Sequence, residues 1–333
     1  LGAKALVIHL TLVPYLSASG ELKTKPTQHS VKQLLENGVQ PDVLVLRTEH
    51  HIDENIRAKV ALFTNVSIDA VVQSIDVPSI YEVPLKMMEE KLDLTVLRKL
   101  DLPVRESADL ELWKQFLFRL KNPEFSVDIA LVGKYVELHD SYKSICEALI
   151  HAGAANNSKV NVKWIHSESI NATTVEKKLR NVDGILVAPG FGHRGIKGKI
   201  LAARFARENN IPYFGICLGM QVAVIEFARN ILGLEDADST EINPGTPHPV
   251  IDLMEQQKEV TDFGGTMRLG SYDCRLISRK SKVFGAYNKL SITERHRHRF
   301  EFNNAYLSRF ESAGMKAVGI NPDTDLVEIM EIP

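Results

Sequence analysis

The sequence predicts an α/β protein with two doubly wound parallel-sheet domains. Its 333 residues suit two domains, and apolar, strand-like runs alternate with helical stretches along most of the chain. Hydrophobic residues make up 44% and charged residues 25%, the balance of an ordinary globular protein. A net charge of −2 provides no general attraction for nucleic acid or for an anionic membrane, and we expect neither partner.

The first hundred residues predict an incomplete α/β sheet. We expect strands at 6–13, 42–46 and 70–74, and helices at 30–37 and 53–63, with Asp53 as the N-cap of the second helix. An amphipathic helix within 101–126 ends at the breaker Lys121-Asn122-Pro123. The predicted organisation is a first domain at 1–100, an interdomain helix and linker at 101–126, and a second domain at 127–333.

The second domain repeats the alternation of strands and helices. Predicted strands lie at 127–132, 160–165, 184–187 and 212–216, and predicted helices lie at 141–151, 173–179, 199–209 and 218–232. In a doubly wound sheet, ligands bind beyond the carboxyl ends of the strands. We therefore look for a site in the turns that follow these strands.

The three cysteines, Cys146, Cys217 and Cys274, are odd in number, far apart and without a CxxC pair. This usage favours a reducing compartment, and we expect a cytoplasmic protein with free thiols. No apolar run reaches the roughly 18 residues that a membrane span needs.

Cys217 lies in the pattern of a nucleophile elbow. A predicted strand runs into Gly215, and Cys217 and Gly219 follow at intervals of two before a helix begins. Glycines at these positions permit the tight strand-to-helix turn that GxSxG gives to a serine. The helix N-terminus should lower the pKa of the thiol, and the Leu218 N–H should face an oxyanion. The alternative is a buried structural cysteine between packing glycines, and the pattern favours the nucleophile.

A glycine-rich turn, Pro189-Gly-Phe-Gly-His-Arg-Gly195, follows the preceding predicted strand. Its glycines allow close approach of the backbone to a ligand and can present a second N–H. Such turns also bind phosphate or simply reverse the chain. Beside the cysteine turn it predicts the other half of an oxyanion hole, with Gly190 as the donor because Pro189 has no N–H.

These two motifs resemble those of class I glutamine amidotransferases, and longer segments narrow the resemblance to the CTP synthase family. The segments are HLTLVPYLSASGELKTKPTQHS at 9–30, RFARENNIPYFGICLGMQ at 204–221, GGTMRLG at 264–270 and ERHRHRFEFNN at 294–304. The resemblance implies that 1–100 is the C-terminal part of a synthetase (amidoligase) domain. It also implies that 127–333 is a class I glutamine amidotransferase domain.

For the second domain the resemblance implies that Cys217 attacks the side-chain amide of glutamine, releases ammonia and leaves a glutamyl thioester that water hydrolyses. The implied oxyanion and glutamine-binding positions are Gly190, Leu218, Gly219, Met220, Gln221, Glu241 and Arg299. Glutamine needs a carboxylate for its α-amino group and an arginine for its α-carboxylate. Without the resemblance, Glu241 and Arg299 would be interpreted as solvated surface charges.

The basic segment at 294–299 has the alternation of a strand. It predicts Arg295, Arg297 and Arg299 on one face and His296 and His298 on the other. The missing interleaved aromatics argue against a nucleic-acid patch. We interpret the segment as anion-holding, around the glutamine site and the domain interface.

For the first domain the resemblance implies two nucleotide-binding sets. The UTP/CTP positions are Lys23, Thr24, Lys25, Pro26, Thr27, Gln28 and Lys59, and the ATP positions are Arg47, Ile75, Asp76 and Val77. Lysines with hydroxyl and amide donors before a helix at Ser30 could cradle a triphosphate, although a KxK before a helix is common.

The implied reaction is the ATP-dependent amination of UTP to CTP, the last step of de novo CTP synthesis, with ammonia from glutamine. The resemblance further implies Mg²⁺ with the nucleotides, CTP feedback inhibition, GTP as allosteric activator and a homotetramer of the full-length protein.

The chain departs from the family pattern at both ends. It contains no GxxxxGK[ST] phosphate loop, and no His-Pro-Glu motif follows residues 326–330. We therefore expect the phosphate loop for ATP, the Mg²⁺ ligands and the catalytic His and Glu outside this chain, with no metal ligand inside it. We also expect no local carboxylate that could orient His296 or His298. Alone, the 333 residues should hydrolyse glutamine weakly at best and should not make CTP.

Two other functions remain open at this point. The chain could be another class I amidotransferase that serves a different synthetase, although KTKPTQHS has no role in a bare glutaminase. It could also be a nucleotide-binding or assembly fragment without catalysis.

Overall fold

The computed structural model describes residues 5–104, 108–253 and 267–333, so the first three residues of the GGTMRLG segment lie outside the described part. The chain divides into two compact units, Leu1–Asn122 and Pro123–Pro333. Both are α/β units with a parallel sheet, which confirms the predicted fold class. None of the described helices has the length and apolar character needed to cross a membrane.

Among its described residues, the first unit contains five short strands and five α-helices. The strands are β1 Ile8–Leu12, β2 Tyr15–Leu16, β3 Glu21–Leu22, β4 Val43–Thr48 and β5 Val71–Ile75, and the helices are α1 Lys25–Glu36, α2 Glu54–Thr64, α3 Val83–Glu89, α4 Leu92–Lys99 and α5 Glu111–Lys121. Strands β1, β4 and β5 form a parallel sheet with β4 in the middle. Four residues of β4, Val43 to Leu46, are buried, as a central parallel strand requires.

Helix α1 begins at Lys25, five residues before the predicted start at Ser30. Pro26 occupies its first turn, where a missing N–H is harmless. Thr27 has no exposed surface, and its hydroxyl donates to the Leu12 carbonyl at 2.9 Å. The segment expected as a loop before the helix is therefore the first turn of the helix. Helices α3 and α4 were not predicted, because helices this short are stabilised by tertiary packing rather than by their own sequence.

Asp53 caps α2 as predicted, since its carboxylate accepts a hydrogen bond from the Ile56 N–H at 2.8 Å. We expect Asp53→Ala to destabilise the helix by about 1 kcal/mol, because one N–H of its first turn loses its partner. Hydrogen exchange of the α2 amides measures this as faster exchange. Glu54→Ala is the matched control, because this exposed neighbour does not cap the helix; it should cost only a few tenths of a kcal/mol. Equal exchange rates in the two variants would contradict the assignment of the cap.

The second unit contains eleven strands and six helices among its described residues. The strands are β6 Phe125–Gly133, β7 Ser158–His166, β8 Gly184–Val187, β9 Tyr213–Gly215, β10 Ala237–Ser239, β11 His248–Asp252, β12 Arg268–Leu276, β13 Ser291–His298, β14 Glu301–Phe302, β15 Lys316–Ile320 and β16 Val327–Glu331. The helices are α6 Lys143–Ala155, α7 Val175–Leu179, α8 Ile196–Glu208, α9 Leu218–Asn230, α10 Lys282–Tyr287 and α11 Leu307–Ala313.

The parallel sheet of this unit has the strand order β7-β6-β8-β9. Val187 at the end of β8 pairs with Gly215 at the end of β9, so the turns that follow these two strands leave the same edge side by side. The glycine-rich turn follows β8 and the cysteine turn follows β9. This is the position predicted for a ligand site.

The remaining strands form a mostly antiparallel region. One sheet has the order β13-β12-β15-β16, and a smaller one has the order β10-β11-β14. In β13, Arg295 and Arg297 are exposed while His296 and His298 are half-buried, which confirms the predicted alternation for these four residues. The strand ends at His298, so the alternation does not extend to Arg299, which is half-buried beyond it.

Candidate active site

Cys217 lies at the junction of β9 and α9 in a strained backbone conformation, with φ 54° and ψ −108°. Few residues other than glycine adopt a positive φ, and the cost is about 1–3 kcal/mol. The Cys217 carbonyl accepts hydrogen bonds from the N–H groups of Met220 at 3.0 Å and Gln221 at 3.1 Å, so the helix starts directly at the thiol. The predicted strand-to-helix turn is present.

Gly215 and Gly219 are both required by close backbone approach. A Cβ on Gly215 would lie 2.6 Å from the Met220 nitrogen, and a Cβ on Gly219 would lie 3.1 Å from the Val187 carbonyl carbon and closer still to its oxygen. The Tyr213 hydroxyl donates to the Gly219 carbonyl at 2.7 Å. The turn is therefore held tightly between β8, β9 and α9.

The predicted lowering of the Cys217 pKa was wrong in direction. Burial raises the pKa of the thiol, and this effect exceeds the opposing hydrogen bond of the Leu218 backbone. The negative charges of Glu241 and Glu301 raise the pKa further, whereas the charge of Lys199 lowers it. A neutral thiol is thus the resting form, and the thiolate needs a base or a nearby cation.

The glycine-rich turn lies against the cysteine turn. A Cβ on Gly190 would lie 3.7 Å from a methyl group of Leu218 and 3.7 Å from the Lys199 nitrogen. The Gly192 N–H donates to a carboxylate oxygen of Glu241 at 3.0 Å. The structure therefore brings Gly190, Leu218 and Glu241 together around Cys217.

The other predicted glutamine-binding residues lie on α9 or just after β13. The Met220 side chain packs against the hydrophobic core, so only its backbone belongs to the turn. Gln221 is 5% exposed, and its amide nitrogen donates to the Phe300 carbonyl at 2.9 Å. This bond connects α9 to the segment that carries Arg299.

A carboxylate does orient His298, contrary to expectation. The His298 Nε2 lies 2.8 Å from a Glu301 oxygen. Glu301 also accepts from Arg268 at 2.9 Å, and Arg268 donates to Glu328 at 2.8 Å. The sequence concealed this group because its members come from four separate strands, β12, β13, β14 and β16.

His296, His298 and Glu328 have ligand atoms within 4.8 Å of one another, the spacing of a possible metal site. Two imidazoles and one carboxylate are not the all-oxygen set that Mg²⁺ prefers. The Arg268 guanidinium already forms ion pairs with both Glu328 and Glu301. This group therefore does not fit the magnesium ion that the resemblance implies.

In the first unit, two of the predicted nucleotide lysines act on one carboxylate. Glu21 accepts a hydrogen bond from Lys23, which lowers the pKa of the carboxyl, and the charge of Lys59 acts in the same direction. Gln28 donates to the Thr24 hydroxyl at 3.2 Å. The Thr27 hydroxyl is committed to the backbone, whereas Lys25 and Pro26 are exposed.

Two of the predicted ATP positions line a cavity of about 310 Å³ in the same unit. Arg47 and Asp76 form an ion pair of 3.1 Å at its wall. Ile75 ends β5 and Val77 follows Asp76, and neither lines the cavity. The residues that line it are Leu12, Val13, Pro14, Tyr15, Arg47, Thr48, Glu49 and Asp76.

Two buried lysines beneath the glycine-rich turn were missed from the sequence. Lys134, which is 3% exposed, donates to the carbonyls of Phe191 and Gly192. Lys199 has no exposed surface and donates to the Ala188 carbonyl at 2.7 Å. Lysines are usually solvated, and the single signal for Lys199 is the pair of glycines, Gly195 and Gly198, just before it.

Comparisons with known proteins agree with this geometry. A family model described as glutamine amidotransferase class-I matches residues 137–333, and one described as CTP synthase N-terminus matches residues 2–102. The glutaminase domain of Trypanosoma brucei CTPS with bound acivicin superposes with a TM-score of 0.56 and 37% identity, covering 62% of this chain and 79% of that one.

Curated relatives match nearly the whole chain. The CTP synthase of Flavobacterium johnsoniae is 62% identical over 327 residues, which is 98% of this chain and 61% of that protein. The CTP synthase of Cytophaga hutchinsonii is 63% identical over 98% of this chain and 60% of that protein, and the one of Bacteroides fragilis is 59% identical over 100% and 62%. The chain thus spans about three fifths of the length of these relatives.

Proposed function

This chain belongs to the CTP synthase family of class I glutamine amidotransferases, and from that premise we propose that its 123–333 unit releases ammonia from glutamine at Cys217. The observation that carries the proposal is the strained turn that places Cys217 at the start of α9 beside Gly190. A cysteine with only a structural role would not require this strained backbone conformation.

The chemistry follows from the groups around the thiol. The Cys217 thiolate attacks the side-chain amide carbon of glutamine, and the oxyanion accepts hydrogen bonds from the backbone N–H groups of Gly190 and Leu218. The carbon–nitrogen bond then breaks, and ammonia leaves with a proton from the site. Water hydrolyses the remaining thioester to glutamate and frees the thiol.

Glu241 and Arg299 are proposed to hold the ends of the substrate. Glu241 lies against the glycine-rich turn through Gly192, and its charge already acts on Cys217. The Glu241 carboxylate can bind the α-ammonium group of glutamine, and the guanidinium of Arg299 can bind its α-carboxylate. Gln221 supports the Arg299 segment through the Phe300 carbonyl, and Gly219 and Met220 complete the turn.

We propose that the first unit contributes to the nucleotide sites of an ATP-dependent amination of UTP to CTP. Support comes from the match of residues 2–102 and from the grouping of Lys23 and Lys59 around Glu21 and of Arg47 and Asp76 around one cavity. Mg²⁺ and the phosphate loop belong to residues outside this chain in this proposal. Activation by GTP, inhibition by CTP, a homotetramer and a cytoplasmic location are proposed from the family alone.

A chloroketone analogue of glutamine tests the glutamine site. The Cys217 thiol should displace the chloride, and peptide mass spectrometry should find the adduct on Cys217 and not on Cys146, with glutamine protecting. A protein that binds UTP or CTP but gives no adduct on Cys217 would instead be a fragment without glutaminase activity.

Glu241→Gln sharpens this test because two reagents should respond in opposite directions. The chloroketone should react about tenfold more slowly, since the hydrogen-bonded charge that holds the α-ammonium group is lost. Iodoacetamide, which needs no such contact, should react faster, because removal of the negative charge lowers the pKa of Cys217. Slowing of both reagents alike would indicate a disturbed fold and not a lost substrate contact.

A further inference from the structure

Lys199 is one of the largest side chains in the described part of the chain that have no exposed surface. A buried ammonium group is expensive unless it is paired. Its nitrogen donates to the Ala188 carbonyl at 2.7 Å, directly before the glycine-rich turn. In the described part of the chain, the charges that act on the pKa of Lys199 are those of Lys134 and Cys217, and no carboxylate is among them.

Two glycines place this lysine. Gly195 has φ +74° immediately before α8, and a Cβ there would lie 3.0 Å from the Ser167 Cβ. A Cβ on Gly198 would lie 2.9 Å from the Ser167 carbonyl carbon. The first turn of α8 can therefore lie directly against the turn at 167–169, and Lys199 enters the space behind β8.

That space adjoins the proposed oxyanion site. The position that a Cβ would take on Gly190 is 3.7 Å from the Lys199 nitrogen and 3.7 Å from a Leu218 methyl group. Lys199 thus lies behind one proposed oxyanion donor and beside the residue that supplies the other. Its charge acts on the Cys217 thiol in the direction that favours the thiolate.

We propose that Lys199 is a positioning residue of the glutaminase site: it anchors the turn at 188–192 through Ala188 and supplies the cation that stabilises the Cys217 thiolate. The inference rests on the proposed function and concerns the same site. Packing alone does not explain why a lysine is buried at this place, since an apolar side chain would fill the space without the cost of burying a charge.

The electrostatics support the arrangement. Burial lowers the pKa of Lys199 to about 7, and the charge of Lys134 acts in the same direction. Burial and the negative charges of Glu241 and Glu301 raise the pKa of the Cys217 thiol. Over a range of pH above neutral, the Lys199 amine and the Cys217 thiol therefore hold one proton between them. In part of the molecules this proton is on the amine, which gives the ammonium–thiolate pair. The charged groups that face these lysines and the thiol are Lys134, Arg194, Glu168, Glu241 and Glu301.

The test is the rate of Cys217 alkylation by iodoacetamide as a function of pH, measured in the full-length protein by peptide mass spectrometry. Lys199→Met keeps the length of the side chain and removes the charge. We expect it to slow the reaction about tenfold at pH 7.5 and to move the profile to higher pH. Lys197→Met is the matched control, because this exposed lysine on the same helix loses the same charge; its rate should stay within about twofold of wild type.

A second variant separates the anchor from the charge. Lys199→Gln retains a donor for Ala188 but no cation, so it should shift the pH profile as Lys199→Met does. A folded Lys199→Met protein with the wild-type profile overturns the inference. The pH profile of the wild-type protein is a test that needs no variant. The proposal requires a component of the alkylation rate that rises near pH 7. A profile with a single ionisation, near that of an isolated buried thiol, overturns it.

Failure of this inference is distinguishable from failure of the proposed function. If the chloroketone labels Cys217 in a glutamine-protected way while Lys199→Met leaves the pH profile unchanged, the site is a glutaminase site and the role of Lys199 is wrong. If the chloroketone does not label Cys217 at all, the proposed function itself is wrong.

Discussion

A Gly219→Ala variant should lose about 2–3 kcal/mol of stability in the 123–333 unit and most of the reactivity of Cys217. The added Cβ would lie closer to the Val187 carbonyl than van der Waals contact allows, so α9 must move away from β8. Because α9 starts at Cys217, that movement carries the thiol and the Leu218 N–H away from Gly190. Thermal unfolding of the unit and the rate of chloroketone labelling measure the two effects.

Gly285→Ala is the matched control for this substitution. Gly285 is exposed in α10, and a Cβ there meets nothing within 4 Å. Alanine should leave labelling unchanged and stabilise the helix by up to about 1 kcal/mol, because glycine is the poorer helix former. Full labelling of a stable Gly219→Ala protein would show that the close approach of α9 to β8 is not required for the nucleophile.

Removal of the thiol should have the largest effect on activity. In the full-length protein, Cys217→Ala should reduce glutamine-dependent CTP formation by at least ~10³-fold, because the proposed nucleophile has no substitute in the turn. Formation of CTP from added ammonium salt should persist, since that step does not pass through the thiol. The comparison of the two nitrogen sources is the measurement.

Two controls define what this result means. Cys146→Ser changes a half-buried cysteine on α6 and should leave both rates unchanged. Loss of both activities in Cys217→Ala would mean that the substitution had damaged the protein beyond its glutaminase step, and retention of both would exclude Cys217 as the nucleophile.

The sequence predicted the parallel sheets and the cysteine turn because each of their signals is local. Strand β8 was predicted at 184–187, the range it occupies, since a short apolar run with a following glycine turn is unambiguous. The elbow is a pattern of five residues, Gly215 to Gly219, and close approach of the backbone is the physical reason for both glycines.

The unpredicted parts depend on groups that are distant in the sequence. The thiol pKa was predicted from the helix end alone, whereas burial by the surrounding elements decides its direction. Arg268, Glu301 and Glu328 lie on three strands and form one buried ion network. From the sequence alone, each of them would be interpreted as an ordinary surface charge. The early start of α1 depends on Thr27 packing against Leu12, 15 residues earlier in the chain.

The hydrogen bond from Gln221 to the Phe300 carbonyl joins two parts of the proposed site that are 79 residues apart in the chain. Gln221 lies in the first turn of α9, the helix that Cys217 precedes, and Phe300 is the residue next to Arg299. The backbone beside the proposed carboxylate-binding residue is therefore held directly by the helix that begins after the thiol.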